Sequence, residues 1–354
     1  MKDIYHVITT INRGGAENQL LVLVDEQIRR GYRVSIVYLK GEPELKKEFV
    51  GLGAEVIDSV SKLSTFKQPF AIAKLISKKD VVLHAHLPRA ELISLLIPAK
   101  LRLITSRHNA EPFFPGAPKF LSNRLGRLVE MRASKIIANS QSVKDFLVQR
   151  GEVKNSEKVH VIYYGYQIKN LDRSEPFKRI HRYSNLGTIS RLAHQKDLPT
   201  MISSFKKFKD EFPDATLSIV GAGPLENELR VLVMAFGLES EIHFLGRRHD
   251  VMNFLSTLDV FLLTSKYEGF GMVLLEAMDA GIPIVASRNS AIVEVLGVEF
   301  PGLCETGNSS DFASKALRLQ NSNYKRDVLK FQEERLAIFT ASSMVEKVIE
   351  CYSP

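Results

Sequence analysis

Glu268 and Glu276 hold seven residues between them, among them the run Gly269-Phe270-Gly271. An ionised carboxylate only accepts hydrogen bonds, so two of them beside a glycine loop suit the hydroxyls of a sugar or a ribose. The stretch 259–283 around them reads as strand, loop and helix. Asp259 to Thr264 is a short apolar run, and Ser265 to Gly271 is a loop. From Met272 to Ala280 the apolar residues recur at helical spacing, and Gly281 and Pro283 stop the helix. The amides of Gly269, Phe270 and Gly271 then open that helix at its positive end, where an anion or a ring of hydroxyls is stabilised. A glycine loop ahead of a helix is also common in α/β proteins, and that plain reading stays open on spacing alone.

Other chemistry-bearing residues follow expected strands. Arg191 and Lys196 share the loop Ser190–Asp197 after a strand at Leu186–Ile189. Two cations there can neutralise a diphosphate leaving group as its charge grows; an exposed basic loop is the alternative. Asn12-Arg13-Gly14-Gly15 separates a first strand, 3–11, from a helix, 16–30, an arrangement that lets a backbone approach phosphate. His84 and His86 end one strand, Arg107 and His108 follow another, and Asn139 and Ser140 follow a third. A single histidine is more often structural, but three at two neighbouring strand ends point to a site. Gly221-Ala222-Gly223-Pro224-Leu225-Glu226 lacks the third glycine of a dinucleotide fingerprint, because Glu226 stands in its place.

The elements that must position these residues alternate. Further strands are expected at 33–39, 55–58, 81–86, 101–106, 135–139 and 159–163, then at 217–220, 241–245 and 284–286. Helical stretches lie between most of them, including 198–212, and a last helix runs from 339 to 352. This pattern predicts α/β architecture with parallel sheets, helices on both faces and ligands at the carboxyl ends of the strands. At 354 residues the chain fits two domains, and the polar stretch 166–183 with Pro176 reads as a linker.

Composition narrows the class. Two cysteines, Cys304 and Cys351, cannot build a disulfide framework and match no metal spacing. No N-terminal signal and no apolar run of about 18 residues is visible, so a cytoplasmic protein is expected. The net charge of +8 is uneven: residues 1–175 hold 28 Lys and Arg against 18 Asp and Glu, and residues 176–354 hold 20 against 22. Lys100, Arg102, Arg107, Lys119, Arg124, Arg127, Arg132 and Lys135 face only Glu111 and Glu130 within 98–135. In 110–132, Phe113, Phe114, Phe120, Leu121, Leu125 and Leu128 join this charge, which suits contact with an anionic membrane surface. Packing of the phenylalanines on the core is the alternative.

The E-x7-E stretch, with its EGFG core and the following EAM and Gly-Ile-Pro, resembles the signature of retaining, family-4-like glycosyltransferases of the GT-B fold. Gly-Gly-Ala-Glu at 14–17, Arg191-Leu192 with Lys196, and Gly221-Ala222-Gly223-Pro224-Leu225 match its other motifs. The resemblance implies two Rossmann-like domains facing across a cleft, 1–165 with 339–354 and 184–338, the C-terminal helix crossing back to the first. It implies transfer of a sugar from a nucleotide-sugar, UDP-linked, to an acceptor hydroxyl with retention, in bacterial polysaccharide, lipopolysaccharide or glycolipid biosynthesis. Closure of the domains would bring His108 and Gly15 onto the donor.

Residue by residue, the family's roles fall on Glu276 for the ribose and on Glu268, Gly269, Phe270 and Gly271 for the donor sugar. Gly15, Arg191 and Lys196 take the diphosphate. His108, catalytic with Glu268, lies near the reacting carbon, and His86 makes an acceptor or donor contact. The loop from Gly246-Arg247-Arg248 cups the base. No Asp-x-Asp occurs, so no metal and no cofactor is expected, the nucleotide-sugar being a substrate. The acceptor side, 110–132, implies a lipid-linked sugar and a peripheral place on the inner face of the membrane. Nucleic acid is not an expected partner. The chain departs from the family at Tyr164, where Asn is usual, at Asp197, where Gly is usual, and at Asn289-Ser290, where a Gly pair is frequent. The alternatives are a nucleotide-sugar epimerase on the same fold, a nicotinamide oxidoreductase and a nucleic-acid-binding module.

Overall fold

The computed structural model describes residues 3–77, 81–97, 101–113, 118–168 and 184–353. Most of the expected linker (169–183) and Phe114 lie outside the described residues. The chain divides into two units, residues 1–167 with 339–354, and residues 168–338.

The first unit is built on seven parallel strands: β1 (Asp3–Ile8), β2 (Arg33–Tyr38), β3 (Glu55–Ile57), β4 (Val81–His86), β5 (Arg102–Arg107), β6 (Lys135–Ala138) and β7 (Val159–Val161). Their order is β3-β2-β1-β4-β5-β6-β7. Side chains alternate across each strand, and both faces are buried, so the strands read as near-continuous apolar runs. Ile4, Ile8, Val82 and Ile104 pack with Leu20, Leu23 and Val24 of the helix Gly15–Arg29 and with Met344, Val345 and Val348 of the helix Ala341–Tyr352. Tyr5, Val7, Leu83 and Leu103 pack on the opposite face with Ile72 of Gln68–Ile76 and Ile93 of Pro88–Leu95. The last helix starts two residues later than its apolar pattern does, because Thr340 caps it, its hydroxyl accepting from the Ser343 amide at 3.2 Å.

The second unit has six parallel strands: β8 (Asn185–Ile189), β9 (Thr216–Val220), β10 (Ile242–Gly246), β11 (Val260–Leu263), β12 (Ile284–Ser287) and β13 (Leu303–Cys304). Their order is β10-β9-β8-β11-β12-β13. The expected strand boundaries shift by a residue at most ends, and the two-residue β13 has no pattern of its own.

Each order reverses direction once. In the first sheet the reversal lies between β1 and β4, and in the second between β8 and β11. At such a point the loops leaving the two strands run apart and open a crevice at the carboxyl ends. The loops leaving β1 and β4 carry Gly14-Gly15 and His86. Those leaving β8 and β11 carry Arg191, Lys196, Glu268 and Gly269–Gly271.

Candidate active site

In the second unit the β8 and β11 loops are tied together. Thr264 donates its hydroxyl to the Lys196 carbonyl at 2.9 Å, the Lys266 amide donates to the Gln195 carbonyl at 2.8 Å, and the Gln195 side-chain amide donates to the Tyr267 carbonyl at 2.9 Å. Across this seam Lys196 Nζ donates to Glu268 Oε1 at 2.6 Å, and Ser265 Oγ donates to the same oxygen at 2.7 Å. Glu268 is buried, and Lys196 is only partly exposed. The expected sugar acid and the expected phosphate cation are therefore one ion pair in this state. Arg191 is exposed and has no ion pair among the described residues.

The helix after this loop opens at its last glycine. Gly271 caps it at φ +93°, a left-handed conformation that glycine adopts without steric cost, and the helix is Met272–Asp279. Gly269 and Phe270 precede it in the loop, and both make contacts within the protein. Phe270 is buried. Glu276 is half-buried inside the helix.

Gly221 and Gly223 serve the β8 loop. A methyl group at Gly221 would sit 1.9 Å from the Ser190 carbonyl oxygen, and one at Gly223 would sit 2.3 Å from that of Leu192. Bare backbone lets the β9 loop lie against the loop that carries Arg191, so these glycines act through packing. Asp197 sits at φ +47°, which explains why glycine is usual there. Its carboxylate accepts from the Thr200 hydroxyl at 2.8 Å, the local bonding that lets Asp adopt this conformation.

In the first unit Gly14 caps the helix Gly15–Arg29 with no side-chain cap. Glu17, at the third helical position, folds over this end. A methyl group on Gly14 would meet its Oε2 at 2.5 Å, and Thr10 donates to its Oε1 at 2.9 Å. Burial raises the Glu17 pKa despite that bond. A methyl group on Gly15 would meet nothing within 4 Å, so the backbone there is open to a phosphate.

The histidines form a denser group than the sequence shows. His6, a β1 residue with no sequence signal beyond its strand, pairs in register with His84 and bonds His86 at 2.9 Å. His6, His84 and His86 are the donor set of a metal centre, yet all six of their ring nitrogens find protein partners. His6 meets Gln27 at 2.9 Å, His84 meets Tyr352 at 2.8 Å and Ser106 at 2.7 Å, and His86 meets His108 at 3.4 Å. That satisfies them as a hydrogen-bonded core group. Burial depresses the pKa of His6 to about 4 and of His84 and His86 well below the usual histidine value. Burial, with the Arg107 charge beside it, depresses His108 to about 4. His86 is buried, whereas His108 remains partly open.

Two further expectations change. Arg107 is not a ligand-facing cation. It is buried with Glu91 at 3.0 Å and Glu152 at 3.3 Å, and it lies 4.2 Å from the centre of the Phe113 ring. Phe113 is fully buried, so of the two described phenylalanines expected to face a membrane the exposed one is Phe120.

Comparison with known proteins places this geometry. The family described as Glycosyltransferase Family 4 matches residues 13–169, and that described as Glycosyl transferases group 1 matches residues 175–333. The chain is a family-4-like glycosyltransferase of the GT-B fold. The transferase is 28% identical over 286 residues to the N-acetyl-alpha-D-glucosaminyl L-malate synthase of Bacillus anthracis, covering 74% of this chain and 73% of the relative. It is 21% identical over 348 residues to the capsular polysaccharide biosynthesis glycosyltransferase CapM of Staphylococcus aureus, covering 92% and 90%. Among solved structures, that of Anabaena HepE in complex with UDP and glucose superposes with a TM-score of 0.83 at 21% identity, covering 99% of both chains.

Proposed function

We propose that the transferase moves a sugar from a UDP-sugar to an acceptor hydroxyl with retention at the anomeric carbon, in the assembly of a polysaccharide or glycolipid. The observation that carries this reading is the Lys196–Glu268 pair at the strand-order reversal of the second unit, with Arg191 in the same loop and the Gly271 helix start beside it. Arg191 and Lys196 meet the diphosphate charge in place of a metal, and the sequence holds no Asp-x-Asp. Glu268 and the 269–271 main chain take sugar hydroxyls, and Glu276 takes the ribose.

The acceptor oxygen bonds to the anomeric carbon as the bond from that carbon to the diphosphate breaks. The leaving phosphate oxygen takes the acceptor proton on the same face. His108 and Gly15 supply the contacts of the first unit, with the buried His86 behind His108. The named activity of the Bacillus relative supports transfer of a sugar, and the UDP and glucose bound in the Anabaena structure support a UDP-linked donor.

A thermal-shift series with UDP, GDP, ADP and their sugars tests the reading, since a ligand bound by the folded state alone raises the melting temperature. UDP and one UDP-sugar should stabilise the native chain and not Glu276→Ala, with and without EDTA. The product should keep the donor's anomeric configuration by NMR coupling. Stabilisation by none of these nucleotides sinks the reading. Interconversion of the donor sugar without an acceptor favours the epimerase.

A further inference from the structure

Tyr164 stands where the family usually has asparagine, and its ring is buried. Its hydroxyl bonds His108 Nδ1. Asn139 Nδ2 donates at 2.8 Å to the main-chain carbonyl of His108, holding that strand end in place.

Gln27 Oε1, an acceptor, closes the far end of a line of neutral rings, so each ring accepts at Nδ1 and the Tyr164 phenol turns its proton to His108 Nδ1. A neutral imidazole carries one proton, so that of His108 is on Nε2. This Nε2–H meets His86 Nδ1 at 3.4 Å. The His86 proton is then on Nε2 and is donated to His6 Nδ1 at 2.9 Å. The His6 proton is on Nε2 and is donated to Gln27 Oε1 at 2.9 Å. Gln27 Nε2 in turn donates to the Tyr352 hydroxyl at 3.1 Å. The line runs from the Tyr164 phenol to the Gln27 amide with no donor facing a donor. The depressed histidine pKa values agree with rings that stay neutral.

We propose that Tyr164 is a positioning residue of this transferase, holding His108 as the Nε2–H tautomer, with His86, His6 and Gln27 enforcing the same tautomer from the other side. The role rests on the reading that His108 meets the donor. The His108–His86 contact is the longest in the line, so the Nε2 proton is the one a ligand oxygen captures. An uncharged donor is thereby presented to a sugar or phosphate oxygen at neutral pH. An asparagine at 164 has no hydroxyl to perform this step, so the substitution changes how the histidine is set in this chain.

The test is long-range ¹H–¹⁵N correlation on the full chain labelled with ¹⁵N-histidine, the His108 signals being assigned by their loss in His108→Gln. In the native chain His108 should be protonated at Nε2. In Tyr164→Phe, which keeps the ring, the Nδ1–H form should gain population. Transfer from a UDP-sugar should drop about tenfold in kcat with KM little changed, the loss of one directed hydrogen bond. An Nδ1–H tautomer in the native chain overturns the proposal, and this measurement needs no variant to fold. An unchanged tautomer in a folded Tyr164→Phe overturns it too. If the tautomer shifts while His108→Gln transfers at the native rate, the positioning stands and the role of His108 in transfer falls.

Discussion

At Gly15 the structure leaves room for a side chain, yet the proposed chemistry leaves none. Gly15→Ala should change stability by no more than about 0.5 kcal/mol in a denaturant titration, because nothing lies in the path of the added methyl. It should lower kcat/KM for transfer by about a hundredfold, since the methyl holds the diphosphate off the helix end. A stable variant with native kinetics would remove the diphosphate from this loop. Single positions were legible where a loop motif carries them, as with Glu268, Lys196 and Glu276. Their relations were not. Lys196 and Glu268 meet only because β8 and β11 are neighbours, and 72 residues separate them. His6 looks like any strand residue and Gln27 like any helix residue, so only strand register exposes their line to His108. Tyr164 was visible as a departure, but its partner was not.

The helix Lys119–Arg132 buries Ser122, Gly126, Val129 and Glu130 and exposes Phe120 at 67% and Met131 at 70%. Leu121 and Leu128 are also exposed, among Lys119, Arg124 and Arg127. An apolar face ringed by cations suits a bilayer with anionic headgroups. The chain should co-float with phosphatidylglycerol vesicles at low salt, and Phe120→Asp with Met131→Asp should abolish flotation while leaving the circular dichroism spectrum unchanged. Flotation unaffected by the pair would assign membrane contact elsewhere. No helix among the described residues is long and apolar enough to cross a membrane. Alternating strands and helices were legible as elements because each buried face imposes its own period. Their limits were less so. The last helix starts where the Thr340 cap acts, not where apolar spacing begins, and Leu303-Cys304 forms a strand only by lying beside β12.

Across the molecule, the buried histidines make the first unit sensitive to acid. His6 is neutral in the fold, its pKa lowered from 6.5 to about 4. The unfolded chain therefore gains the proton first, and stability present above pH 6.5 is lost as the pH falls through 4. One such group contributes roughly 3 kcal/mol, and His84, His86 and His108 act in the same direction. Glu91 opposes them. Burial raises it to about 7 against the pull of Arg107, so its contribution is full below pH 4.5 and fades as the pH rises through 7. Four histidines outweigh it on the acid side. In calorimetry the transition of the first unit should move down steeply between pH 6.5 and 4, and a flat response would refute the neutral cluster.

The chain leaves the first unit beside the place where it returns, with Tyr166 and Thr340 bridged and the Tyr166 amide donating to the Phe339 carbonyl at 2.8 Å. During synthesis this order matters. Residues 1–167 emerge from the ribosome before residues 168–338, but the helix that covers Leu20, Leu23 and Val24, and supplies Tyr352 to Gln27 and His84, emerges after them. The nascent first unit must keep an apolar seam uncovered while residues 168–338 are made. The unit begun before its neighbour is thus completed after it, and a ribosome that stalls before making Ala341–Tyr352 releases a chain with its adhesive surface exposed.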